Sequence, residues 1–297
     1  TDTPIATNNT STTANATNDT STPANNQNDG ILESHSRIDH DANSESIPPP
    51  TENTQDATDF NPVFWGDPLT TDKPASTMRI LLQNSNGLVP NLHYRKLDYI
   101  ARNIVTHKID VACLAETNVD WKKPSVRSAC HDLLRRHFKH HRLITSNSPA
   151  TTRYVYLPGG TATIATNGYT GRIAESGSDP KGMGRWSYVQ IKGKTDTRIL
   201  VVTVYQVCKS TVNTSGDSTA FIQQWNLIRA AGNDKPNPRS QFSADLTEFL
   251  AGFPNDPVII AGDINSWLRD PANDKNFANL VRQFNLKDVL IRRHGTK

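Results

Sequence analysis

From residue 77 onward the chain alternates short apolar runs with amphipathic stretches, and each change of period predicts an element. Residues 79–83 read as a strand that leaves through Asn84-Ser85-Asn86-Gly87, where Asn-Gly is a turn signal. Asn91 is placed to cap a helix running to about residue 107, because Leu97, Ile100 and Ile104 fall on one face. Residues 109–115 form the next strand and deliver Glu116 at its end. Strand, helix and strand in this order make a parallel crossover, so Asn84 and Glu116 should emerge on one edge of a sheet. The stretch 122–142 reads as a basic helix with Val126, Cys130, Leu133, Leu134 and Phe138 as its buried stripe. Short strands follow in GGTATIATN, RWSYVQIKG and RILVVTVYQV, then helical patterns at 218–231 and 240–252. The run VIIAGDINSW reads as a buried strand reaching the surface, 274–284 as a helix, and 288–293 as a further strand start. Asp263 and Asn265, two apart on a strand, should share a face.

Composition changes the picture at the amino end. Of 297 residues 35% are hydrophobic, enough for one large domain, but only 17 of these lie in the first 75. That segment is rich in Thr, Asn, Ser and Asp and cannot bury enough surface to offset chain entropy, so residues 1–75 are expected to be a disordered tail and linker. A small aromatic island, Phe60, Phe64 and Trp65, is either a docking element or a short binding motif. Residues 76–297 are expected to form the folded domain. Charge divides at the same place. The tail has twelve acidic residues against Arg37 and Lys73, a net of −10, and the body has 30 Lys and Arg against 17 Asp and Glu, a net of +13. A basic body suits a polyanion, most economically nucleic acid, and an acidic tail favours solubility.

Cys113, Cys130 and Cys208 lie far apart with no paired metal spacing, which argues against a disulfide scaffold. No hydrophobic run is long enough to span a bilayer, and the expectation is a monomeric intracellular protein, nuclear if its substrate is DNA. The chain begins with Thr, as a fragment would.

The polar residues at the strand ends form a series: QNSNG, AETN, VYQV and GDIN. Together they predict a cleft lined by Asn84, Glu116, Tyr205, Asp263 and Asn265. Two carboxylates converging there require a cation or a proton between them, and hard oxygen ligands with amides nearby favour Mg²⁺ or Mn²⁺. The competing reading is that Asp and Asn merely suit turns, and that Tyr205 caps the core. Lys122, Lys123, Arg135, Arg136 and Arg185 are candidates for following a phosphate backbone, against the alternative of solvated surface. Gly159-Gly160 is weak evidence for phosphate binding.

These four motifs in this order resemble the endonuclease/exonuclease/phosphatase superfamily, which includes deoxyribonuclease I and abasic-site endonucleases. The wording QNSNG, AETN, PGGTA, GRW, VYQV and AGDIN is most similar to retroelement-type endonuclease domains. The resemblance implies a four-layered α/β sandwich, two mixed sheets flanked by helices, covering about residues 77–297. It implies metal-dependent phosphodiester hydrolysis, with Glu116 as principal metal ligand and Asn84 orienting the metal shell or phosphate. Tyr205 would contact the scissile phosphate, Asp263 would handle proton transfer, and Asn265 would hold phosphate or nucleophile. Asn86 stands where some members place an Asp. The superfamily's late Asp and its Asp-His pair have no counterpart after Asp288, since His294 in RRHGTK lacks the preceding Ser-Asp. The expectation is a domain incomplete at its carboxyl end, poorly active and prone to aggregate, with a reverse transcriptase domain following in the intact protein. The alternatives are a phosphatase on a small-molecule or lipid phosphate, and a degenerate nucleic-acid-binding protein.

Overall fold

A computed structural model describes residues 72–88, 95–150, 155–213, 216, 218–266 and 274–294. The acidic tail, the aromatic island and the expected cap at Asn91 lie outside the described residues.

Among the described residues eight strands form two mixed sheets. In the first, β1 (Ile80–Asn84) runs parallel to β2 (Val111–Ala115), which pairs antiparallel with β4 (Thr161–Thr166), itself antiparallel to β3 (His141–Ser146). In the second, β5 (Ile173–Ser178), β6 (Trp186–Lys192) and β7 (Arg198–Tyr205) are antiparallel neighbours, and β7 runs parallel to β8 (Val258–Asp263). The helices are α1 (Arg95–Thr106), α2 (Pro124–His137), α3 (Ala220–Ala230), α4 (Pro238–Ala251), α5 (Lys275–Gln283) and α6 (Val289–His294).

Alternation along the strands builds four layers. Ala112 and Leu114 of β2 and Ala162 and Ile164 of β4 face α1 and α2, where they pack on Leu97, Ile100, Val126 and Leu134. Leu200, Val202 and Val204 of β7 face outward the other way, against Phe242 and Leu246 of α4 and Phe277 of α5. The intervening residues Val111, Cys113, Val189 and Val201 fill the space between the sheets. That inner layer has a polar seam. Thr163 bonds Ser187 at 2.8 Å and Thr203 at 2.6 Å, so three buried hydroxyls satisfy one another across the sheets.

Three elements differ from the sequence reading. Helix α2 ends at His137, and the last residues of the basic stretch start β3, whose β-branched HRLITS finds a partner in β4. Strand β5, IAESGS, is too polar to stand out and forms because β6 offers it an edge. The expected strand at 288–293 is instead helical: Asp288 accepts from Ile291 N–H at 3.0 Å and closes the turn locally. Order also begins before residue 77, where Lys73 spans both oxygens of Asp110 at 2.6 and 2.7 Å.

Arg185, expected to touch phosphate, is fully buried. Its Nε and Nη2 donate to Asp179 at 2.7 and 2.9 Å, its Nη1 donates to Asp245 at 2.6 Å, and its guanidinium lies 4.7 Å from the Trp186 ring centroid. A polyanion cannot reach it; the charge ties the start of β6 to α4. Burial works against the Asp245 carboxylate, but hydrogen bonds from Lys181 and Arg185 hold its pKa below the ordinary range.

Removing one partner of such a cluster strands the others without compensation. Arg185→Met should cost about 3–5 kcal/mol in urea denaturation at neutral pH. Because Asp245 is depressed in the folded state, its contribution is present above the ordinary carboxylate pKa and is lost as pH falls through its lowered value. The wild type should therefore weaken on acidification below about pH 4, and the Arg185→Met protein should lose less over that interval.

Candidate active site

Parallel pairing puts the carboxyl ends of β1, β2, β7 and β8 on one edge. Asn84 is in register with Ala115 in the first sheet and Tyr205 with Asp263 in the second, so the residues that end these strands meet between the sheets. Asn84 Nδ2 donates to Glu116 Oε2 at 2.9 Å and to Asp263 Oδ2 at 2.7 Å. One amide group thus lies between two carboxylates from different sheets.

Local turns aim these groups. Beyond β1, Asn86 N–H donates to Asn84 Oδ1 at 2.8 Å, and beyond β8, Asn265 N–H donates to Asp263 Oδ1 at 3.0 Å. Each is an Asx turn whose third residue has positive φ, 40° at Asn86 and 49° at Asn265. This corrects the expectation that Asp263 and Asn265 share a strand face, because β8 ends at Asp263 and the backbone turns left-handed two residues on. Asn265 stays beside the cluster by another route: its Nδ2 donates to the Gln206 carbonyl at 2.7 Å and its Oδ1 accepts from Cys208 Sγ at 3.3 Å. Glu116 also has positive φ, 52°, and its carbonyl is held by Gly87 N–H at 2.8 Å and Ser85 Oγ at 3.1 Å.

Tyr205 takes the core position that one of its two readings gave it. It is buried, packed in a cluster with Ala115, Val207 and Ala220, while burial first and the Glu116 and Asp263 charges after it push its phenol pKa upward. The phenol therefore stays protonated at neutral pH. Gly159 and Gly160, with φ of 81° and 83°, serve close packing. A Cβ on Gly159 would press the Tyr205 ring at 3.1 Å, and one on Gly160 would meet Ser146 O at 2.8 Å. Gly262 has the same function inside β8, where a Cβ would overlap the Val204 carbonyl oxygen.

The basic candidates separate. Lys122 donates to the carbonyls of Pro149 and Ala150 at 2.8 and 2.5 Å, and Lys122 and Lys123 lie just before α2 at the end of the sheet that carries Glu116. Arg135 and Arg136 are exposed at the far end of α2, near His141, which pairs with Thr166 at the edge opposite Ala115 and Thr161. The structure does not bring those two arginines to the cluster, and Arg135 pairs with Asp132 at 2.5 Å. Lys96 of α1, not singled out from the sequence, does reach it: its Nζ donates to the carbonyls of Ser85 and Asn86 at 2.9 and 3.2 Å. Helical periodicity marks Lys96 only as surface, and nothing local announces the contact.

Among the described residues no group of three or more His, Cys, Asp or Glu forms a metal cage. The donor set nonetheless fits a hard cation. Mg²⁺ is commonly bound by one or two carboxylates, with waters and substrate phosphate completing its shell, and here the N–H₂ end of an amide already lies between two carboxylates.

No protein-family model matches this chain, and no curated protein does. Solved structures do. An endonuclease/exonuclease/phosphatase family protein from Leptotrichia buccalis is 16% identical over 70% of this chain and 73% of its own, with a TM-score of 0.45. The human nocturnin catalytic domain with bound sulfate is 14% identical over 74% and 75%, with a TM-score of 0.48. An AP endonuclease from Archaeoglobus fulgidus is 14% identical over 74% and 76%, with a TM-score of 0.45.

The state of Tyr205 can be read directly. In a spectrophotometric titration at 295 nm, Tyr188 and Tyr205 should ionise above the ordinary tyrosine range, since burial leads the upward shift in both. Tyr205→Phe should remove part of the late phase only; loss of early amplitude instead would contradict the buried placement.

Proposed function

We propose that this chain hydrolyses phosphodiesters with a divalent cation, and that its substrate is DNA cut internally, as by a retroelement-type endonuclease. The observation that carries the reading is the Asn84 amide set between Glu116 and Asp263, with Asn265 and Tyr205 beside them. Glu116 would hold Mg²⁺ or Mn²⁺, with Asn84 orienting the carboxylates around it; when bound the cation supplies a Lewis acid for the phosphoryl oxygen and the departing alkoxide.

The chain's own groups divide the remaining work. Asp263 has Oδ1 fixed by its Asx turn and Oδ2 turned toward Asn84, so its carboxylate is oriented for proton transfer with an attacking water. Asn265 uses one amide hydrogen on Gln206, leaving the other to donate to a phosphate oxygen. Tyr205, kept neutral, is a second donor to that phosphate. The +13 charge of residues 76–297 supports a long polyanion over a small phosphate ester, since each neutralised phosphate adds affinity through counterion release. The motif wording supports the retroelement class.

Relaxation of supercoiled plasmid is a sensitive test, because one nick per circle is scored. Nicking should require Mg²⁺ or Mn²⁺, stop with EDTA, and vanish in Glu116→Ala. In Asp263→Asn it should fall about a hundredfold to ten-thousandfold. Nicking that persists in both variants and in EDTA would sink the proposal. Hydrolysis of small phosphate esters with no cleavage of plasmid would move the substrate to the phosphatase class.

A further inference from the structure

The loops that carry Asn265 and Cys208 converge on one side chain that the reading above does not use. Arg239 sits in the first turn of α4 and is about nine-tenths buried. Its Nη1 donates to the Val207 carbonyl at 2.6 Å, and its Nη2 donates to Ser266 Oγ and to Asp274 Oδ2 at 2.8 Å. Val207 precedes Cys208 in the loop after β7, and Ser266 follows Asn265 in the loop after β8. Asp274 is the N-cap of α5, where its other oxygen accepts from Phe277 N–H at 3.0 Å. Gln206 completes the set. Its Nε2 donates to Asp274 Oδ2 at 3.2 Å, and its backbone carbonyl is the acceptor for Asn265 Nδ2 at 2.7 Å.

The geometry points to Arg239 as a positioning residue for Asn265. Its guanidinium clamps the β7 and β8 loops together from behind the site, with Asp274 as the anchor. This rests on the phosphodiesterase reading for its catalytic consequence, though the clamp itself does not. An ordinary core ion pair needs only one carboxylate partner. Here two nitrogens of one planar fork reach a backbone carbonyl in one loop and a hydroxyl in the other, each next to a residue that touches Asn265 or is bonded to it in sequence. Lysine, with a single nitrogen on a flexible stem, can keep the charge pair with Asp274 but cannot span both loops. Asn265 would then lose the fixed Gln206 carbonyl that orients its amide, and misplacement of a positioned group by about 1 Å is enough to slow a reaction by about a hundredfold.

Cys208 gives a readout independent of activity. It is exposed and its thiol donates to Asn265 Oδ1, whereas Cys113 and Cys130 are buried and their pKa values are pushed up to about 11 and about 12 by burial. A thiol reagent applied to the native protein therefore reports on the Asn265 loop. In the full chain, Arg239→Lys should keep its circular dichroism spectrum and unfold cooperatively, yet label at Cys208 several-fold faster. Its single-turnover plasmid nicking rate should fall about tenfold to a hundredfold. In an Asn265→Ala background, Arg239→Lys should cost little more, because its effect runs through Asn265. Unchanged Cys208 labelling in a folded Arg239→Lys protein would overturn the clamp. Full additivity with Asn265→Ala would overturn the route through Asn265. If Arg239→Lys does not fold, Asp274→Asn, which weakens the anchor while keeping the cap oxygen, must show the same faster labelling or the inference fails. Faster labelling in a chain whose wild type cleaves no phosphodiester would uphold the clamp and reject the proposed function instead.

Discussion

The hydrogen bond from Asn84 to Asp263 joins the ends of two strands that belong to different sheets, and the arrangement of the cluster depends on it. Glu116 and Asp263 bring two negative charges toward one point, which is unfavourable unless something positive lies between them. The amide of Asn84 supplies the positive end of a dipole to both. For this to happen β1 and β8 must end at the same height across the sandwich. The two parallel pairings, β1 with β2 and β7 with β8, provide that, because parallel strands deliver their carboxyl ends to one edge. Gly262 lets β8 approach β7 where a side chain would strike the Val204 carbonyl.

Behind this edge, buried charges fix geometry more than they add stability. Arg185 fastens the entry to β6 to α4 through Asp179 and Asp245, and Arg239 fastens the exits of β7 and β8 to the start of α5 through Asp274. Desolvating an ion pair offsets much of its attraction, so a net gain in folding free energy is a poor account of why such groups are here. Direction is a better one. A guanidinium has donors in fixed directions and can hold several acceptors at once, which a methionine of similar volume cannot do. Both arginines lie on the second sheet's side of the molecule, against helices α4 and α5.

What the sequence disclosed follows from the range of its signals. The unbroken apolar and β-branched runs TATIAT and RILVVTVY marked strands because both faces of each are buried, and the stripe Val126, Cys130, Leu133, Leu134 marked α2 because one face of that helix is. The polar residues at strand ends were visible as a series, and parallel crossover alone placed Asn84 and Glu116 on one edge. Strand β5 was not legible because IAESGS has little apolar pattern of its own and depends on β6. Arg185 was misread since a lone basic residue at a strand start looks like surface until the two aspartates that bury it, 6 and 60 residues away, are known. Lys96 and Arg239 were passed over for a related reason: the acceptors of Lys96 are backbone carbonyls, which have no letter in a sequence, and those of Arg239 lie 27 to 35 residues away.

The turns after β1 and β8 carry the argument one step further. Asn-x-Asn and Asp-x-Asn fold into the same Asx turn, each with its third residue left-handed, so the chain builds the same local shape twice and faces the two copies toward each other. They differ in the first residue. With an aspartate at both positions, three carboxylates would meet and neither turn could donate to the other; with asparagine at both, the pair would lose one of its charges. Asparagine in one and aspartate in the other gives a complementary bond and leaves two carboxylates, Glu116 and Asp263, in the cluster. A site with that local charge attracts a small cation at short range, while the +13 of the surrounding body attracts a polyanion at long range. The two fields act at different distances, and an acidic cluster can therefore sit within a basic domain without cancelling its long-range field.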